Sequence, residues 1–104
     1  MTLTEADNGR IIALRVGDVI VVRLSETAAS GYRWEWEERG EGVVRVVTDA
    51  YVPATHAVGG AGHAQRTLQA ARPGTARLRL KQWREWEGES SVTNRFEVLL
   101  QVHA

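Results

Sequence analysis

The 104-residue sequence predicts an all-β fold, a two-layer sandwich of about seven strands. Three observations predict it. Apolar residues alternate with polar ones over most of the chain. Apolar or β-branched runs stand at Ile11–Leu14, Val19–Leu24 and Val43–Val52. Turn signals recur roughly every 10 residues, and no segment sustains a helical apolar period. Together these are the sequence signature of an immunoglobulin-like β-sandwich, and the length fits a single domain over residues 1–104.

Each strand has its own justification. Strand A is Ile11–Leu14, ended by the turn Arg15-Val16-Gly17-Asp18. Strand B, Val19–Leu24, is a β-branched run dense enough for the interior of a sheet. Strand C, Tyr32–Glu37, alternates Tyr32, Trp34 and Trp36 with Arg33, Glu35 and Glu37, which puts the three aromatics on one inward face as core residues. Strand D covers Val43–Val52 and stops at Pro53, which has no N–H for a ladder. Strand E is a weakly alternating stretch, Thr67–Ala70. After Arg72-Pro73-Gly74, strand F (Thr75–Gln82) sets Ala76, Leu78 and Leu80 against Arg77, Arg79 and Lys81. Strand G (Arg95–Val102) turns Phe96, Val98, Leu100 and Val102 inward.

Composition excludes several functions. Basic and acidic residues balance at 13 each, so the basic excess of a nucleic-acid binder is missing. The chain has no cysteine, hence no disulfide scaffold, thiol nucleophile or thiolate metal site. The start, MTLTEADNGR, has no basic region leading into an apolar run, and no apolar stretch approaches the ~20 residues of a membrane span. A cytoplasmic protein without a membrane partner is expected, with an exported mature form left open. His56 and His63 flank a glycine-rich hairpin but lack a recognised ligand spacing, so no metal or cofactor is expected. Ser25 and Ser30 have no His/Asp partner set, and Glu35 and Glu37 read as a solvated strand face. The chain is not expected to be an enzyme.

Three segments depart from the β pattern: Thr27–Tyr32, Gly59–Gly62 and Trp83–Glu87. They fall on the B–C, D–E and F–G connections, and alternate connections of a sandwich emerge at the same end. Trp83 and Trp86 lie beside Arg84, Glu85 and Glu87, and aromatics with an arginine on a loop are typical anchors of a protein–protein contact. Two other readings of this end stay open at this point: a tryptophan platform for a sugar, and a rim tryptophan folded onto the sandwich edge.

The three segments, in this order, resemble the loops of the chagasin family of cysteine-protease inhibitors. Thr27-Ala28-Ala29-Ser30-Gly31-Tyr32-Arg33-Trp34 fills the slots of that family's B–C loop, N-P-T-T-G-[YF]-x-W. Gly59-Gly60-Ala61-Gly62 follows the D–E pattern G-x-G-G except at Ala61. Arg84-Glu85-Trp86-Glu87 follows the F–G pattern R-P-W-E except at Glu85. The similarity runs from about residue 10 to 103. It implies an immunoglobulin-like scaffold whose three loops enter the cleft of a papain-like cysteine protease as a wedge. The partner is then a protease, and the inhibition reversible and competitive. The protease-binding residues it implies are Thr27, Ala28, Ala29, Ser30, Gly31, Tyr32, Gly59, Gly60, Ala61, Gly62, Arg84, Glu85 and Trp86. A monomer is expected. The departures bear on strength: Ala28 and Glu85 replace prolines and Thr27 replaces an asparagine, which removes local restraints on the loops. The alternative is a non-inhibitory binding module that keeps the scaffold and has another partner.

Overall fold

The computed structural model describes residues 1–53 and 61–104, with backbone only at Ala28 and Ala61. The strands are β1 (Thr2–Leu3), β2 (Ile11–Arg15), β3 (Val19–Thr27), β4 (Arg33–Arg39), β5 (Val44–Pro53), β6 (Ala61–Ala70), β7 (Gly74–Trp83) and β8 (Asn94–His103). They form two four-stranded sheets, in the orders β1-β3-β6-β5 and β2-β8-β7-β4. Pairing is antiparallel except for β1 with β3 and β2 with β8, which run parallel. The inward faces meet in one apolar cluster, in which Leu24, Leu68, Leu78, Leu80, Phe96, Val98 and Leu100 are almost completely buried. Burying each such leucine or phenylalanine contributes about 1.5–3 kcal/mol.

Three features differ from the sequence reading. Among the described residues there are eight strands rather than about seven, because Thr2–Leu3 adds β1 beside β3. Its two residues are too short for any period to be visible, and buried Leu3 anchors it. Strand β6 begins at Ala61 rather than Thr67, so Ala61 and Gly62 belong to a strand and not to a loop tip. Its inward residues Gly62, Ala64 and Arg66 are small or charged, and an apolar alternation cannot reveal them. At Gly62 a Cβ would lie 2.5 Å from Tyr51 Oη and from the Val52 carbonyl, so the close approach of β5 admits only glycine. Finally, β4 starts at Arg33, which leaves Tyr32 outside the strand. Trp34 is buried as expected, but Trp36 is only partly so, and the pairing with β7 slips between Trp36 and Glu38.

β4 lies at the edge of its sheet, and Trp34 is held to the opposite sheet by two charged side chains. The Trp34 N–H donates to Glu26 Oε1 at 2.8 Å, and the Trp34 carbonyl accepts from Arg66 Nη2 at 2.6 Å. Glu26 is on β3 and Arg66 on β6, at 5% and 6% exposure. Asp49 of β5 lies 3.4 Å from Arg66 Nε, Arg33 lies 3.6 Å from Glu26, and Trp34 Nε1 donates to the Ser25 carbonyl at 2.9 Å. Burial pulls the Arg66 pKa down, while Asp49 and Glu26 oppose it. A guanidinium keeps its charge in such a place.

The buried Trp34 N–H depends on Glu26. Glu26→Ala is expected to lower the unfolding free energy by about 1–3 kcal/mol in urea titrations, because it leaves the buried Trp34 N–H unmatched. Glu26→Gln, whose amide oxygen can still accept from the Trp34 N–H, is expected to be markedly less costly than Glu26→Ala.

Candidate functional site

The strand registers bring all the ends that matter to one side. Thr27 lies opposite Ala61, Pro53 opposite Gly62, Arg33 opposite Trp83, and Gln82 opposite Asn94. The β3–β4 connection (28–32) and the β7–β8 connection (84–93) therefore leave the sandwich together, beside the strand ends that flank residues 54–60. Gly59 and Gly60 lie outside the described residues, as does His56. Ala61 and Gly62 open β6 directly across from Thr27 and Glu26.

In the β3–β4 connection, Ala28–Ser30 forms a 3-10 turn. The Ser30 hydroxyl donates to the Thr27 carbonyl at 2.7 Å and accepts the Tyr32 N–H at 3.2 Å. This hydroxyl supplies a lock on the turn where the sequence has Thr27 in place of an asparagine amide. Gly31 sits at φ 76°, in the left-handed region where side chains are disfavoured.

The β7–β8 connection folds into two consecutive 3-10 turns, Glu85–Glu87 and Glu89–Ser91, around Gly88. Ser91 holds the pair together. Its Oγ accepts the Arg84 N–H at 2.9 Å and has the Gly88 and Arg84 carbonyls at 2.6 and 2.9 Å as acceptors. A second brace lies on the β4–β7–β8 face. Glu89 bonds Lys81 Nζ at 3.0 Å and also Arg95, which reaches on to Glu37 at 3.0 Å. Glu35 accepts from Trp83 Nε1 at 2.6 Å, and Lys81 Nζ stands 3.6 Å from the Trp83 ring centroid. Trp83 is thus the last residue of β7 and is engaged on its ring and its N–H. The pair of loop tryptophans expected from the sequence reduces to Trp86. Glu35 and Glu37 carry bonds rather than standing free in solvent.

Trp86 is 73% exposed, the most exposed of the large hydrophobic side chains described. One edge of its indole rests on Gly31: a Cβ there would lie 2.5 Å from Trp86 Cη2. Arg84 links the two connections. Its Nε donates to the Ser30 carbonyl at 3.0 Å, its guanidinium lies 4.3 Å over the Tyr32 ring, and Nη1 is 3.3 Å from Glu87. The sequence-predicted residues Ser30, Gly31, Tyr32, Arg84 and Trp86 thus form one contiguous unit, with Glu85 exposed beside it and Thr27 and Ala29 at its foot. Among the described residues no group of three or more His, Asp or Glu could hold a metal, and His63 lies within β6.

Sequence reasoning missed Glu26, Arg66 and Ser91. A usable signal existed for the first two. Ile20, Val22 and Leu24 are inward residues of β3, and Glu26 continues their period; Arg66 sits likewise between inward Ala64 and Leu68. A charge in an inward slot implies a partner. Ser91 has no comparable signature.

Two outcomes follow from this geometry. Gly31→Ala combines a positive φ with a clash against the indole, so it is expected to destabilise the fold by about 1–2 kcal/mol and to change Trp86 fluorescence. The hydrogen bond from Lys81, helped by Arg95, holds the Glu89 carboxyl below its ordinary value of 4.5. A depressed folded pKa means that the brace is complete above about pH 4.5 and is lost as pH falls through the lower folded value. Trp83, stacked on Lys81, reports it. Its fluorescence is expected to change as pH falls below that value, with Glu89→Gln diminishing the change.

Residues 13–100 match the family model described as "Chagasin family peptidase inhibitor I42". Chagasin of Trypanosoma cruzi is 30% identical over 108 residues, an alignment covering 97% of this chain and 96% of that protein. A crystal structure of a cysteine protease inhibitor from Entamoeba histolytica superposes with a TM-score of 0.88 at 20% identity, covering 98% of this chain and 94% of the other. PbICP-C, solved in complex with falcipain-2, gives 0.70 at 14% identity, covering 99% and 90%. At these identities the two structures establish the shared architecture; the family model and the curated relative establish kinship. The chain belongs to the chagasin family of peptidase inhibitors.

Proposed function

We propose that this protein is a reversible, competitive inhibitor of papain-like cysteine proteases that inserts its 28–32 and 84–93 connections, with the adjoining β5–β6 connection, into the active-site cleft. The observation that carries the reading is Trp86. A large indole stands exposed on a braced loop, seated on Gly31 and joined to the neighbouring connection through Arg84. An exposed aromatic of this kind is a strong anchor, since it buries about 150–250 Å² when covered. Because Ser30, Ser91 and Arg84 already fix the surrounding backbone, little ordering remains to be done on binding. The complex of PbICP-C with falcipain-2 is a precedent for such a scaffold engaging a protease. Inhibition in this mode is occlusion: the loops fill the cleft, and no residue of the inhibitor has to react.

Steady-state inhibition of papain and of a cathepsin-L-like protease, run with Trp86→Ala in parallel, tests this. Competitive inhibition is expected, with the inhibitor chain intact afterwards. Trp86→Ala is expected to weaken the inhibition constant at least about tenfold, equivalent to about 1.4 kcal/mol. A folded domain that inhibits neither enzyme at micromolar concentration would instead be a binding module with another partner.

A further inference from the structure

The three connections are sparing in charge. Residues 28–32 and 54–60 contain no Asp, Glu, Lys or Arg, so the charged side chains of the connections themselves are those of the β7–β8 connection: Arg84, Glu85, Glu87 and Glu89. Three of the four are neutralised within the chain. Arg84 pairs with Glu87 at 3.3 Å, and Glu89 pairs with Lys81 and Arg95. Glu85 is exposed, and its carboxylate has no basic partner among the described residues. It stands next in sequence to Trp86. The chain as a whole has a formal net charge of zero, so no global field masks this local one.

Resting on the inhibitory reading above, we infer that Glu85 is a specificity-determining residue. It selects proteases that present a lysine or arginine on the part of the cleft rim covered by Trp86, and it rejects those that present an acidic side chain there. The physical basis is desolvation at a contact. When Trp86 is buried, the neighbouring carboxylate loses water, and this is compensated only by an opposite charge. A basic side chain supplies that charge and also speeds encounter, whereas an acidic one adds repulsion to the lost hydration. Glu85 therefore acts on the choice of partner, while Trp86 supplies affinity for any cleft of suitable shape.

The test is a set of inhibition constants and association rates for wild type, Glu85→Gln, Glu85→Lys and Trp86→Ala against papain and several papain-like proteases of differing rim charge, at low and high salt. For the protease that wild type inhibits most tightly, Glu85→Gln is expected to weaken inhibition about tenfold at low salt, and Glu85→Lys more. Both losses should shrink at high salt. Glu85→Lys is expected to improve inhibition of the poorest targets, so that the ranking of proteases changes. An unchanged ranking, or tighter inhibition of the best target by Glu85→Gln, overturns the inference. If Trp86→Ala still weakens inhibition in that case, the inhibitory reading stands and only the role of Glu85 falls. If no protease is inhibited by any form, both fall.

Discussion

The free edge of β4 is the constraint on which the rest of the molecule depends. β4 pairs with β7 alone, and its first turn of backbone has to be held without a second neighbouring strand. The Trp34 peptide groups are satisfied instead by Glu26 and Arg66 from the facing sheet. Charged groups buried in this way add little net stability, since desolvation offsets most of what their bonds gain. What it fixes is position. Glu26 lies one residue before the end of β3, and Trp34 one residue after the start of β4, so the clasp sets the distance that the 28–32 connection must span. Arg66 and Asp49 extend the same link to β6 and β5, the strands that flank residues 54–60. Both sheets are thereby locked together at the end from which the connections emerge.

Above the clasp, the loops are stiffened by polar contacts in places where the family pattern has prolines. A proline restrains one φ angle. Here Ser30 closes its own turn, Ser91 ties two successive 3-10 turns to Arg84, and Arg84 crosses to the Ser30 carbonyl. These contacts restrain several dihedral angles each, and they couple the two connections so that one cannot shift without the other. The loosening expected from Ala28 and Glu85 is countered by this coupling. Its centre is the Gly31–Trp86 contact, where the absence of one Cβ makes room for the ring.

The sandwich was visible in the sequence because apolar side chains alternate in β3, β7 and β8, where each inward position is filled by a residue that hydropathy recognises. Alternation fails as a guide where the inward residue is Gly62, Ala64 or Arg66, and there a strand has the sequence signature of a loop. The same failure hid Glu26, whose inward direction is set by period but whose chemistry suggests the surface. The positions of Gly31, Arg84 and Trp86 were available from local spacing. Their mutual contact was not, because Ser30 and Arg84 are 54 residues apart and meet only through strand register. Trp83 illustrates the reverse error. It shares the local composition and charge of Trp86, yet the pleat directs it toward Glu35 and Lys81.

Arginine outnumbers lysine 12 to 1 in this chain, and the structure gives several of these arginines work that an ammonium could not do. Arg66 reaches the Trp34 carbonyl with one nitrogen while another faces Asp49, and its charge survives burial. Arg84 stacks its plane on Tyr32 while directing Nε to Ser30 and Nη1 to Glu87. Arg95 spans two carboxylates on different elements, Glu37 and Glu89. Each of these requires a flat, multiply donating group. Lys81 occupies the one brace where a compact charge suffices, resting on the Trp83 ring and reaching a single carboxylate. These three arginines, at the inter-sheet clasp, the inter-loop link and the brace beneath Glu89, contribute to the stiffness of the loop-bearing end.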